Sequence, residues 1–306
     1  MKICWFKDSK IGHEKQVRAI LDNLSLLEDF EIEEVCVKNP VWFELLLYLL
    51  NIRPKKVAIA DIFIGAGSKT NIPMLRYRAD KAIKVISVMK PQFFQKEFDL
   101  IVAPRHDYQS VPDNVFTYIG SIADVKVNED LKDMGLIIIG GINKHFEFSN
   151  ENLLSQINFA SALYPKLDWI IFNSRRTPKK FNSLIKESLD IEKFVDINEN
   201  FEPLDNYISK AKVKFVTPDS INMIFESLSS SGDTFLFEMK RLKNNKITML
   251  IDEIKANKFV GFFEDKKIKG SNINKLELTK PNSLHEPFRE VEKVVYKIKS
   301  LFFDKV

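Results

Sequence analysis

Residues 135–141 read GLIIIGG, a wholly apolar run from Leu136 to Ile139 closed by paired glycines. A run that short and that apolar has the length of a strand and no wet face, as expected of a strand covered by helices on both sides. Outward from it the same alternation recurs. Towards the C-terminus come a helix from about 150 to 162, the strand DWIIFNS (168–174) and a helix after Pro178. Strands near 193–197 and 213–216, a helix from about 220 to 229 and the strand TFLFEM (234–239) follow. Towards the N-terminus, strands are expected at 2–6, 32–37, 56–63, 83–88, 98–103 and 115–119, with helices at 14–27, 41–51 and 72–80. Strands alternating with helices are the pattern of parallel βαβ winding. The fold class is therefore α/β, in two doubly wound, Rossmann-like domains.

The two series part around 121–135, where ADVKVNEDLKDM is polar and lacks strand character. The domains expected are 1–125 and 126–284, with 285–306 as a C-terminal helix. In that helix Val291, Val294, Val295, Ile298, Leu301 and Phe302 recur at helical spacing, so it is amphipathic and must cover something.

Composition narrows the class. A chain of 306 residues can bury two cores, and its net charge of +4 is too small for a nucleic-acid footprint. Cys4 and Cys36 lie in strand-like runs, which suggests buried free thiols in a reducing compartment. The N-terminus MKICWFKDSK has no signal-peptide apolar region, and no run approaches the ~20 apolar residues that span a bilayer. A cytoplasmic protein is expected.

Doubly wound sheets bind ligands beyond the carboxyl ends of their strands. Four segments fall there. Asp8 to Glu14 follows the first strand; Gly12 lets a backbone approach a ligand, and His13 is an imidazole that can titrate near neutral pH. Arg105-His106-Asp107 ends another strand, either as a site or as a turn capped by Asp107. Gly140 and Gly141 can expose backbone amides to a phosphate, and Ser174-Arg175-Arg176 suits bidentate contact with a diphosphate. In VTPDSINMIFE (216–226), Thr217 leads into a turn, Asp219 or Ser220 can cap the next helix, and Glu226 either accepts two hydrogen bonds from a ribose diol or simply faces solvent. The helix VWFELLLYLL (41–50) is apolar almost all round, which implies full burial or a membrane-docking face beside RPKK. GAGSKT (65–70) lacks P-loop spacing, which argues against ATP hydrolysis.

Taken in order, WFKDSKIGHEKQ, GAGSKT, FDLIVAPRHD, NVFTYIGS, IIIGGINKHFEF, NSRRTP and VTPDSINMIFES resemble the plant mitochondrial-fission-protein-like family and its bacterial relatives. The resemblance spans about residues 3 to 240. It implies a GT-B architecture whose second domain holds the nucleotide half of a sugar donor, and whose last helix either crosses back to the first domain or packs on the second. It places the bacterial relatives in assembly of the lipopolysaccharide or lipooligosaccharide outer core. One departure is the turn Ser-Ser-Gly-Asp-Thr (230–234), which replaces the usual Gly-x-Pro at the end of the donor-site helix.

The function expected is transfer of a sugar from a nucleotide-sugar donor to a glycan or lipid-linked acceptor, without metal or further cofactor. His13 is the base, facing the cleft from the first domain, with His106 or Asp107 as substitutes. Peripheral contact with the inner face of the membrane is compatible with this. A non-enzymatic scaffold and a nucleotide-sugar epimerase are the alternatives.

Overall fold

The structure is a computed structural model that describes residues 1–54, 59–189, 191–199, 202–267, 274–282 and 286–304. The chain forms two compact units, Met1–Ala123 with Arg289–Val306, and Asp124–Phe288.

The first unit contains β1 (Lys2–Lys7), α1 (Ile11–Leu24), β2 (Glu31–Cys36), α2 (Val41–Leu49) and β3 (Ile62–Ala66). It continues through α3 (Ser68–Tyr77), β4 (Lys84–Val88), β5 (Leu100–Pro104) and β6 (Val115–Tyr118). The strands are all parallel in the order β2-β1-β3-β4-β5-β6. Both β3 and β5 are buried along their whole length, which is why they read as unbroken apolar runs.

The second unit contains β7 (Lys132–Ile138), α4 (Asn150–Leu163), β8 (Asp168–Phe172), α5 (Lys179–Ser188), β9 (Lys193–Val195) and α6 (Asp205–Ile208). After these come β10 (Ala211–Val216), α7 (Ile221–Leu228), β11 (Asp233–Leu236), α8 (Lys246–Ala256), β12 (Gly261–Lys267) and β13 (Asn274–Thr279). Its sheet runs β13-β12-β11-β10-β7-β8-β9, parallel except where β13 turns back on β12. The final helix, α9 (Glu290–Phe302), belongs to the first unit. Val291, Val294, Val295 and Ile298 join the core formed by Val17, Ile20, Leu21 and Leu24 of α1. The buried Glu290 carboxylate accepts the Ile119 amide at 2.9 Å.

The winding places a ligand crevice in each unit. In the first sheet the chain leaves β1 towards β2 and then reverses to β3, so its switch point lies between β1 and β3. In the second it runs from β7 out to β9, then returns to β10 on the other side of β7. The crevices where ligands enter such sheets are therefore at β1/β3 and β7/β10.

Several expectations are corrected. The third strand, expected at 56–63, is seen at Ile62–Ala66; part of the expected span, 56–58, lies outside the described residues. The helix expected at 72–80 begins at Ser68, because Gly67 at φ +83° ends the strand sharply and opens the helix there. Cys36 is exposed, since β2 is an edge strand with an acidic face; Cys4 is buried. Full burial of the helix after Pro40 fails outright: Glu44 is the one buried residue of α2. Between TFLFEM and Pro287 the periodicity gives no element, yet α8, β12 and β13 lie there. No helix among the described residues is long and apolar enough to cross a membrane.

The turn at 230–234, where the chain departs from the family pattern, also has a physical counterpart. Lys214, fully buried on β10, donates to Ser227 O (2.9 Å), Ser230 Oγ (2.6 Å) and Ser231 O (2.5 Å), and so caps α7 from beneath. Burial pushes its pKa down to about 7. Gly232, at φ +85°, lets the turn pass Ala211 O, which a Cβ would meet at 2.4 Å. Lys214→Met takes the ammonium donor from Ser230 Oγ and Ser231 O, while Ser227 O keeps Ser230 Oγ at 2.9 Å, so it is expected to cost about 1–3 kcal/mol. A urea titration following the second unit's unfolding checks this.

Candidate functional site

At the second switch point three loops are tied together by side chains. Behind β7, the Gly140 amide donates to Thr217 Oγ1 (2.7 Å) and the Gly141 amide to Asp219 Oδ2 (3.0 Å). From the loop after β8, Ser174 Oγ donates to Gly140 O (2.7 Å), and Thr177 Oγ1 hydrogen-bonds the same carbonyl. Arg176 Nη2 donates to Asp219 Oδ2 (3.1 Å), and Thr217 Oγ1 to Asp219 Oδ1 (2.6 Å). Burial raises the Asp219 pKa, against the hydrogen bonds from Thr217 and Gly141 that hold it down.

This arrangement revises two expectations. The amides of Gly140 and Gly141 are engaged by Thr217 and Asp219, so they do not face a phosphate. The glycines are needed for packing instead: a Cβ at Gly140 would lie 2.2 Å from Asp219 Oδ1, and one at Gly141 2.1 Å from the Arg176 carbonyl carbon. Nor is α7 capped by a side chain. Ser220, its N-cap residue, makes no side-chain bond to the helix, and Asp219 turns its carboxylate to the loops. What remains presented to solvent is cationic. Arg175 and Arg176 are exposed, and among the described residues Arg175 has no acidic partner. Glu226, half-buried, is five residues into α7, about 7–8 Å along its axis from Ile221.

His145 belongs to this site and sequence reasoning passed over it. Asn143, two residues beyond Gly141, accepts the His145 amide at 2.6 Å and so folds the loop back. Asn245 commits its Oδ1 to the Ile247 and Thr248 amides at the start of α8. Its Nδ2 is thus the donor to His145 Nδ1 at 2.9 Å, and the neutral imidazole carries its proton on Nε2. Burial, then the positive charges of Lys144, Lys243 and Arg176, lower the His145 pKa. The available signal was the pair Lys144-His145 soon after the glycine turn.

At the first switch point, Asp8 and His13 form a pair. Asp8, just after β1, is almost wholly buried; its Oδ1 accepts the Lys10 amide (3.0 Å), and its Oδ2 lies 2.7 Å from His13 Nδ1. His13 sits in the first turn of α1 beside Gly12, its side chain 20% exposed. With Nδ1–H given to the carboxylate, Nε2 is left as the basic atom. From the neighbouring β3, Gly67 provides the space: a Cβ there would stand 2.4 Å from His13 Cε1. GAGSKT is thus the seat of an imidazole. His106 and Asp107 form a short 3₁₀ turn after β5, with Nε2 and Oδ1 3.9 Å apart. Three strand spacings separate β5 from β1, about 14 Å, so these residues do not join the Asp8–His13 pair.

Comparison with known proteins agrees with this architecture. The model of a family described as "Mitochondrial fission ELM1" matches residues 11–300. The uncharacterized protein RP120 of Rickettsia prowazekii (strain Madrid E) is 24% identical over 292 residues, 78% of this chain and 79% of that one. Among solved structures, a Listeria monocytogenes protein assigned as a UDP-N-acetylglucosamine 2-epimerase shares the fold, with a TM-score of 0.51, 11% identity and 82% of each chain covered. MurG of Acinetobacter baumannii aligns at a TM-score of 0.48 with 12% identity, covering 84% of this chain and 83% of that one. The fold is GT-B-like: α/β, with two parallel-sheet domains.

The His145 environment has a testable consequence. The unfolded imidazole takes up a proton near pH 6.5, whereas the folded one does so only at lower pH. Between those values the unfolded chain binds more protons, so stability falls as pH falls. His145→Gln removes that penalty. Its melting temperature relative to the parent should rise on going from about pH 8 to about pH 5.5, as scanning calorimetry in matched buffers would show.

Proposed function

This chain belongs to the mitochondrial fission ELM1 family, and we propose that it is a glycosyltransferase moving a sugar from a nucleotide-sugar donor to an acceptor hydroxyl. The observation that carries this is the cationic edge at the β7/β10 switch point, where Arg175 is unpaired among the described residues and Arg176 is held by Asp219. A nucleoside diphosphate fits such an edge, because a guanidinium matches the geometry of phosphate oxygens.

The donor's diphosphate lies against Arg175, Arg176 and the Nε2–H of His145. Its ribose diol is accepted by Glu226, one to two turns further along α7. Ser174, Thr177, Thr217 and Asp219 hold these loops, with Ser220 and the open first turn of α7 beside the phosphates. In the first unit, Asp8 orients His13, whose Nε2 takes the proton from the acceptor hydroxyl. That oxygen attacks the anomeric carbon as the bond to the diphosphate oxygen breaks. The guanidinium groups and the imidazole N–H stabilise the charge gathering on the leaving nucleoside diphosphate, so no metal is needed for that step. Attack of this kind inverts the anomeric centre. The acceptor is a glycan or lipid-linked glycan of lipopolysaccharide or lipooligosaccharide core assembly, met by a cytoplasmic enzyme at the inner face of the membrane.

Thermal melting with UDP, GDP, CMP and ADP tests the donor site. A nucleotide at a hundred times its dissociation constant adds about 2.7 kcal/mol to stability, a rise of several degrees. Glu226→Ala and Arg175→Ala should abolish the rise. With a donor and acceptor in hand, His13→Ala should leave the rise intact and lower turnover by about 10²–10⁴-fold. Donor converted without any acceptor would make the protein an epimerase. No response to any nucleotide would leave a scaffold.

A further inference from the structure

We propose that α2 and the adjoining Phe93-Phe94 turn are a docking surface for an anionic lipid bilayer. This deepens the membrane part of the reading above. The helix is attached to the first unit by its polar side. Glu44 accepts from Arg76 Nε (2.7 Å) and Nη2 (3.2 Å) and from Asn39 Nδ2 (2.7 Å), all on the inner face. An ion pair with both side chains under a tenth exposed thus holds a helix whose apolar residues point to water. Trp42 is 67% exposed, Leu46 45%, Leu49 64% and Leu50 60%.

The turn before β5 widens the same surface. The Phe94 ring lies 5.1 Å from that of Tyr48 on α2, and the Phe93 ring 6.4 Å from Phe94. Phe94 is set there by a left-handed backbone, φ 52°, which an L side chain rarely adopts. Phe93 and Phe94 are both exposed, which extends the apolar surface of α2.

Charge indicates which partner. From Lys38 to Asp99 the sequence has eleven Lys and Arg against five Asp and Glu, a net +6, while the whole chain carries only +4. The apolar face therefore stands in a segment of net positive charge. Beside the C-terminal end of α2 is a cavity of about 260 Å³ lined by Arg53, Arg78 and Lys81 among others. Arg53 and Lys81 have no acidic partner among the described residues, and Arg78 Nε is buried without a hydrogen bond there. The lining carries Arg53, Arg76, Arg78 and Lys81 against Asp80 and Glu97, a net positive charge that suits a lipid phosphate. An apolar helix face rimmed by cations is the form of an interfacial membrane anchor, with Trp42 suited to headgroup depth. A second copy of the chain fits badly, because two +6 segments would face each other.

Sedimentation of the full chain with vesicles tests this. Phosphatidylglycerol-containing vesicles should pellet the protein and pure phosphatidylcholine vesicles should not, with binding weakened by added salt. The double variant Leu46→Glu/Leu49→Glu should reduce binding about tenfold or more, and Arg53→Glu/Lys81→Glu should reduce both binding and its salt dependence. Circular dichroism melting shows that the variants fold. Nucleotide-dependent melting, whose residues lie in the other unit, keeps failure of this inference apart from failure of the donor-site reading. Absence of pelleting with either vesicle, undiminished pelleting of Leu46→Glu/Leu49→Glu, or a concentration-dependent dimer abolished by that variant would overturn it.

Discussion

A carboxylate removed from water needs donors around it, and Asp219 finds them on three loops: the Gly141 amide, the Arg176 guanidinium and the Thr217 hydroxyl. Parallel strands have no hairpins to fix their ends, so loops at a switch point must be registered by side chains. Asp219 does this for β7, β8 and β10 together. It also explains the glycines, since no Cβ fits between the carboxylate and the turn after β7. The same tie decides what a ligand can touch. It consumes the amides and leaves arginine and histidine donors outside.

The first unit solves a similar problem with one carboxylate and one imidazole. Asp8 is buried so that a single oxygen can be aimed at His13, while its other oxygen is occupied by the Lys10 amide. The alignment depends on a glycine in the next strand's loop, so residues far apart in the sequence specify one ring orientation. In both units a buried side-chain carboxylate positions a more exposed nitrogen group, His13 in the first and Arg176 in the second. Asp8 and Asp219 are themselves buried.

The strand-and-helix alternation was legible because buried parallel strands leave uninterrupted apolar runs, and the ends of those runs mark the candidate loops. His13, Arg175, Arg176 and Glu226 came from position alone. Partnership was not legible. Which oxygen Asp219 offers, and to what, depends on the order β10-β7-β8, which no local window contains. His145 was hidden for the same reason, as its tautomer is set by Asn245, 100 residues further along the chain. The helix α2 misled because a nine-residue apolar segment looks alike buried or exposed, and a single Glu44–Arg76 pair decides between the two. Cys36 misled because the alternation along β2 belongs to an edge strand rather than a covered one.

The position of α9 sets an order of events during synthesis. Its valines and Ile298 complete the core around α1, yet the whole second unit lies before it in the chain. A nascent first unit therefore waits on the ribosome with the α1 surface of Val17, Ile20 and Leu24 uncovered, while the second unit, contiguous in sequence, can close as it emerges. The first domain made is the last one finished, and in that interval its open seam is what a chaperone would hold.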